Sequence, residues 1–265
     1  MKLLVTGAAG GMGTILRARL PELGYALRLA DIVRIEPAGD EEVLTASVTD
    51  GDAMRAACQG VDAVVHLGGI SVEDRWDAVV DANVNGTHTV LEAGVRAGVS
   101  RFVLASSNHA VGFHARSAGP APDYLFPRPD TYYGVTKVAI EALGSLYHDR
   151  FGVDVVCLRI GTCTERPLDE RQLATWLSPD DCARLLHACL TVSSPGFRVA
   201  WATSANTRAW WSLEGARALG YTPQDNAERF AGDVPAAPDP AALDRVGGVW
   251  CTAPLGERGV PVGRR

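Results

Sequence analysis

Short apolar runs alternate with longer stretches of helical period along most of this chain. Leu3-Leu4-Val5 leads into the glycine-rich turn Thr6-Gly7-Ala8-Ala9-Gly10-Gly11-Met12-Gly13. Ile15-Leu16-Arg17-Ala18-Arg19-Leu20 then reads as an amphipathic helix that Pro21 and Gly24 end. Further apolar runs at 26–30, 42–46, 61–67, 101–105 and 153–158 predict strands, and 52–58, 76–97 and 133–150 predict helices between them. Six strands separated by helices predict an α/β fold. It is a Rossmann-type doubly wound parallel sheet with helices on both faces and ligands at the carboxyl ends of the strands. Residues 1–232 read as one dinucleotide-binding domain, with a small C-terminal substrate-binding region at about 162–232. After Gly232 the prolines, glycines and alanines of 233–265 read as a dispensable tail, or as one that packs on a neighbour through Val249 and Trp250.

The glycines at 7, 10 and 13 have GxxGxxG spacing, which suits a tight turn, close approach of backbone to a pyrophosphate, and close packing of helix on strand. Glycines also mark ordinary turns, so the strand before them and the helix after them are what favour a nucleotide. Asp31 ends the second strand, where a carboxylate accepts hydrogen bonds from an adenosine ribose and repels a 2′-phosphate. That favours NAD over NADP, with Arg34 as the residue that could reverse the preference if its loop folded back.

Tyr133 and Lys137 are four residues apart and share one helix face. A nearby ammonium, helped by the positive charge of an oxidised nicotinamide, lowers the pKa of a phenol, which makes the tyrosine a candidate base. The Ser106-Ser107 pair at the end of the fifth strand can hold a substrate oxygen. His109 shows no evident acidic partner, which suggests a backbone role. Arg159, inside a strand pattern, reads as structural or paired. Ser178-Pro179-Asp180-Asp181 is a helix start and not a catalytic dyad.

Composition narrows the classes. The chain has 265 residues, 47% of them hydrophobic, enough for a large core. Its net charge of -6 leaves no basic footprint for nucleic acid. No apolar run approaches the ~18 residues of a membrane span, and the opening apolar stretch is too short for a signal peptide and reads as the first strand. The six cysteines show no CxxC pair, so neither a metal site nor a disulfide framework is expected, and a cytoplasmic location fits.

TGxxGxxG, a serine after the fifth strand and YxxxK, in this order, resemble the extended short-chain dehydrogenase/reductase superfamily. Within it the chain is similar to the uronate dehydrogenase family. The similarity spans roughly residues 1–231, through 67–73, 105–109, 133–137, 156–164, 173–178, 204–206 and Trp210-Trp211. The resemblance implies oxidation of a cyclic hexuronate, galacturonate or glucuronate, at C1 to an aldarolactone with NAD. It makes Tyr133 the base, Ser107 the residue that orients the hydroxyl, and Lys137 the group that tunes Tyr133 and binds the nicotinamide ribose. It implies cofactor contacts at Gly7, Gly10, Gly11, Met12, Gly13, Asp31, Val48, Leu67, Gly68, Gly69 and Asn83, the last of which also resembles the superfamily asparagine that ties helix and active-site geometry together. It places the sugar at Ser71, Ser107, Asn108, the backbone around His109, Tyr133 and Thr162, and gives Arg171 the substrate carboxylate. Ser47 departs from an aspartate common in the family, and Thr162 from a serine. A homo-oligomer through the two long helices is implied as well. Two rivals remain: a sugar-nucleotide epimerase or dehydratase of the same superfamily, and a non-catalytic NAD sensor.

Overall fold

The central strands carry near-continuous apolar runs because both of their faces are buried. A computed structural model describes residues 1–237 and 243–258. In chain order the strands are β1 (Lys2–Thr6), β2 (Ala26–Asp31), β3 (Glu42–Thr45), β4 (Ala63–His66), β5 (Arg101–Ser107) and β6 (Asp154–Ile160), then β7 (Thr162–Cys163), β8 (Trp176–Leu177) and β9 (Phe197–Ala202). The helices are α1 (Gly11–Arg19), α2 (Gly51–Cys58), α3 (Trp76–Val79), α4 (Gly86–Arg96), α5 (Tyr132–Phe151), α6 (Gln172–Thr175), α7 (Pro179–Thr191) and α8 (Glu214–Ala218). The main sheet has seven strands in the order β3-β2-β1-β4-β5-β6-β9, every pair parallel. Its strand order reverses between β1 and β4, which opens a crevice at their carboxyl ends.

Alternate residues feed two cores. Leu3, Val5, Leu27, Leu29 and Val103 pack with Leu16, Leu20, Leu185 and Leu186 of α1 and α7 and the turn after α1. Leu4, Val64, Phe102 and Leu104 pack on the opposite side with Met54, Leu91 and Ile140 of α2, α4 and α5. The predicted doubly wound sheet is therefore present, with one strand more than expected. β9 lies in the stretch assigned to substrate binding, and with α7 it completes the sheet and its core, while β7 and β8 form a separate two-stranded ribbon.

The helix expected over 76–97 is not regular. α3 passes into a π-helical turn, Val80–Asn85, before α4 begins at Gly86. Such turns recur at functional sites. α5 starts where expected: the Thr131 hydroxyl accepts from the Gly134 amide at 2.9 Å, and Gly152 ends the helix in the left-handed region.

The C-terminal segment is not a loose extension. Val246 is fully buried against Val111, Ala121, Trp201 and Trp211. Its amide donates to the His114 carbonyl, and the Gly247 amide to that of Gly112. Composition suggested a tail because proline, glycine and alanine are frequent in it; two of those glycines, Gly247 and Gly248, are demanded by close contacts. Residues 238–242 and 259–265, part of the same expected tail, lie outside the described residues.

Candidate active site

A cleft of about 650 Å³ runs along the carboxyl ends of β1, β2, β4 and β5. Gly7, Gly10, Gly11, Met12, Gly13, Asp31, Val48, Leu67, Gly68 and Gly69 line one end, and Ser71, Ser107, His109, Tyr133 and Lys137 line the other. Ten of the eleven backbone-fingerprint and ribose-side residues expected from sequence thus share one surface with the candidate base, the exception being Asn83.

The glycines are required by sterics. Gly7 adopts φ +69°, and a Cβ there would lie 2.7 Å from the Gly68 amide nitrogen. A Cβ on Gly13 would lie 2.5 Å from the Gly7 carbonyl oxygen, so α1 sits directly on the turn. No side chain caps α1 at Gly10, which leaves its first amides for an anion. The Asp31 carboxylate accepts from the amides of Ala9 and Val33, each at 2.9 Å, and so is fixed at the rim. Arg34 pairs with Glu36 on the surface, and Arg28 is held by Glu42 and two carbonyls of the α2 end, so neither reaches this rim as an anion ligand. These features fit an NAD-type dinucleotide.

Asn83 makes the expected tie between helix and active-site loop and does not line the cleft. It is fully buried, its Oδ1 accepts from the Ile70 amide at 2.7 Å, and its Nδ2 donates to the Ile70 carbonyl at 3.0 Å and to Thr136 Oγ1 at 2.9 Å. It thereby braces the loop after β4 against α5. Ser47 bonds the Thr49 hydroxyl and amide and so shapes its own turn.

At the reacting end Lys137 Nζ donates to the Ala105 carbonyl at 2.8 Å and lies 5.2 Å from the Tyr133 ring centre. Burial pushes the Lys137 ammonium down to about 8, so it stays charged at neutral pH. Burial also pushes the Tyr133 phenol up to about 12, with the Ser107 hydroxyl acting in the opposite direction. Desolvation outweighs the nearby ammonium here, so the phenolate depends on the further help expected from the positive charge of an oxidised nicotinamide.

His109 does have an acidic partner, contrary to the sequence reading. Its Nδ1 lies 2.8 Å from Asp130 Oδ2, in a part of the chain 21 residues away. Glu73 was missed as well. Its buried carboxylate accepts from the Tyr133 amide at 2.9 Å and from the Gly256 amide at 2.8 Å, tying the start of α5 to the C-terminal segment. An acid at a helix N-terminus complements the helix dipole, a signal present in the sequence only once the two segments are known to meet.

Thr162 and Arg171 do not line this cleft, and neither does Asn108. Asn108 Nδ2 and Arg171 Nη2 both donate to the Val246 carbonyl oxygen, at 2.9 and 2.6 Å. Arg171 Nε is buried without a partner among the described residues. The guanidinium borders a second cavity of about 340 Å³, with Arg116, Arg208 and Arg245. Thr162 pairs with Trp176 in the small ribbon. Arg159, by contrast, is paired as expected, with Glu141.

Among the described residues no helix is long and apolar enough to cross a membrane, and no cluster of His, Cys, Asp and Glu could hold a metal. All six cysteines are free.

Residues 3–164 match the model of the NAD dependent epimerase/dehydratase family. The chain is 40% identical over 265 residues to a uronate dehydrogenase of Pseudomonas syringae pv. tomato, covering 97% of this chain and 96% of that protein. It is 39% identical to an NAD-dependent glucose-6-phosphate dehydrogenase of Haloferax volcanii, over 86% of this chain and 94% of the relative. The crystal structure of uronate dehydrogenase from Agrobacterium tumefaciens superposes with a TM-score of 0.90 at 39% identity, covering 96% of this chain and 97% of that one. With the glycine turn, the serine and the tyrosine–lysine pair all on one cleft, the chain belongs to the NAD-dependent epimerase/dehydratase family, in its uronate dehydrogenase branch.

Proposed function

We propose that this protein oxidises the C1 hydroxyl of a cyclic hexuronate, galacturonate or glucuronate, to the aldarolactone. The observation that carries the reading is the convergence of Ser107, Tyr133 and Lys137 at one end of a cleft whose other end is Gly7, Gly13 and Asp31. NAD, when bound, supplies the ring that accepts a hydride from C1. The glycine turn and the start of α1 would take its pyrophosphate, Asp31 its adenosine ribose, Val48 its adenine, and Lys137 the nicotinamide ribose.

Tyr133 Oη takes the proton of the C1 hydroxyl as the hydride leaves C1, so the C1–O bond becomes the lactone carbonyl. Ser107 Oγ holds that oxygen on the line to Tyr133. Lys137 keeps a positive charge beside the phenol, and the positive charge of the oxidised cofactor supplies the rest of what burial takes away.

Arg171 is the residue assigned to the substrate carboxylate. Support comes from its partners: a buried guanidinium that meets a neutral carbonyl and has an orphaned Nε lacks a direct ion pair, with the Asp169 and Asp130 carboxylates attracting it only from farther off. A carboxylate would match it through paired charge-assisted hydrogen bonds. Asn108, donating to the same carbonyl oxygen, would join it, and Ser71, Thr162 and His109 complete the proposed sugar site. A neutral hexose would leave the arginine unsatisfied, which gives a mechanism for preferring acids.

NADH formation followed at 340 nm tests the reading, with galacturonate, glucuronate, glucose 6-phosphate, galactose or glucose, and NAD or NADP. Turnover of the uronates with NAD is expected. Turnover of glucose 6-phosphate in preference to both uronates would move the anion preference to phosphate, and NAD binding without turnover of any sugar would favour the sensor. We also infer a cytoplasmic homo-oligomer, since Val135, Leu146 and Phe151 leave apolar surface exposed on α5; a monomer by light scattering would overturn the assembly.

A further inference from the structure

Asp130 sits just before α5, and its side chain is entirely buried. Its Oδ2 and Oδ1 lie 2.8 and 3.1 Å from His109 Nδ1, and Oδ1 also accepts from Thr131 Oγ1 at 3.1 Å. Among the described residues no arginine or lysine is within ion-pair distance of it. Backbone walls it in. A Cβ on Gly112 would stand 2.0 Å from Oδ2 and one on Gly247 would stand 1.7 Å from it, so both positions are open only because they are glycines. The His109 ring is held in turn, edge-on to Tyr133 and to Trp250, each at 5.8 Å between ring centres.

A carboxylate without its proton can only accept, so the shared hydrogen belongs to His109 Nδ1. A neutral imidazole with its proton on Nδ1 has a lone pair on Nε2. That atom has no partner among the described residues, and the ring lines the cleft beside Ser107 and Tyr133.

We propose that Asp130 is a positioning residue: its carboxylate locks His109 in the Nδ1–H tautomer and aims Nε2 to accept a hydrogen bond from a hydroxyl of the sugar ring beside Tyr133. The substrate hydroxyl rests on the function proposed above; the tautomer does not. Burying a carboxylate with no direct ion pair, only the longer-range attraction of Arg171, is costly, and three chain segments are shaped around this one. A polyol ring with a hydroxyl next to C1 is the ligand chemistry that such an acceptor selects. A substrate lacking that hydroxyl leaves Nε2 unpaired, which is where discrimination arises.

Two readouts on the full-length protein test this. The first is the nitrogen NMR spectrum of the histidine rings, which reports the tautomer whether or not any sugar is turned over. Asp130→Asn presents an amide that can donate to Nδ1, and the His109 signals are expected to move to the Nε2–H form. Unchanged signals would overturn the proposal. The second is steady-state kinetics with whichever uronate the wild type oxidises. Asp130→Asn is expected to lower kcat/KM roughly 10- to 100-fold, with the NAD dissociation constant unchanged. His109→Gln should lower it similarly, and the double variant no further than His109→Gln alone. Losses that multiply in the double variant, or an equal loss of NAD affinity, would make Asp130 a packing residue and refute its role. A wild type inactive on every uronate would count against the proposed reaction, and the NMR arm would still decide the tautomer.

Discussion

Replacing Glu141 with leucine should unfold this protein more readily than its distance from the reacting atoms suggests. Arg159 Nε and Nη2 each donate to a Glu141 oxygen at 2.8 Å, with the two side chains only 3% and 10% exposed. Ser106 Oγ donates to the same carboxylate at 2.6 Å, and Arg159 Nη1 to the Asp123 carbonyl at 2.9 Å. Glu141→Leu therefore strands a guanidinium that has one neutral acceptor left. Breaking a buried pair from one side costs about 3–5 kcal/mol, whereas replacing both partners with apolar residues is often close to neutral. At roughly 2 °C per kcal/mol for a chain of this size, the melting temperature should fall by about 6–10 °C. Glu141→Leu/Arg159→Met should recover most of that loss, short of about 1 kcal/mol for the Asp123 carbonyl. Calorimetry on the wild type, both single variants and the double closes the cycle. A Glu141→Leu loss below about 1 kcal/mol, or single losses that simply add in the double, would refute the argument that the carboxylate exists here to compensate a buried cation.

Lys137 gives a prediction with a definite sign. Its pKa in the folded protein is about 8, against an ordinary 10.5. Below pH 8 the burial cost stands in full, about 3 kcal/mol. From pH 8 to 10.5 only the unfolded lysine keeps its proton, so the cost fades as pH rises. Lys137→Met should thus melt above the wild type at pH 7, converge with it near pH 10.5, and oxidise no uronate; a lower melting point at pH 7 would contradict this. Arg171→Ala should raise KM for uronates at least about tenfold, the value of one charge-assisted hydrogen bond, and leave NAD affinity unchanged; an unaltered KM would remove its assigned role. Gly13→Ala puts a Cβ 2.5 Å from the Gly7 carbonyl oxygen, so calorimetric titration should show much weaker NAD binding. Wild-type affinity in that variant would mean the turn can shift without harm. A chain ended at Ala237 should lose uronate turnover while still binding NAD, and full turnover would restore the view of the C-terminal segment as dispensable.

What was legible in the sequence is what is local. The glycine turn lies between a strand and a helix, Asp31 ends its strand, and Tyr133 and Lys137 share one helix face, so spacing together with the adjacent elements places each of them. Asp130 and Glu73 escaped because their partners, His109 and Tyr133, are 21 and 60 residues away and meet only after folding. β9 escaped because Arg198 interrupts its five apolar residues, leaving Phe197 apart from the short run Val199–Ala202. The C-terminal segment was misjudged for a different reason. Composition counts its glycines as freedom, whereas Gly247 and Gly248 are pressed against Asp130 and Arg171, where any side chain would collide.

The π-helical turn of Val80–Asn85 holds one residue more than an α-helical path would need. Deleting a single residue there would give an uninterrupted helix, better by local hydrogen bonding, yet it would rotate everything before the deletion by about 100° relative to α4. Asn83 would then swing away from Ile70 and Thr136, and the loop that walls the cleft would lose its hold on α5. The irregularity therefore acts as a phase setting between two helical segments. Exposed positions in this stretch should accept substitution more readily than the stretch accepts a change in its length.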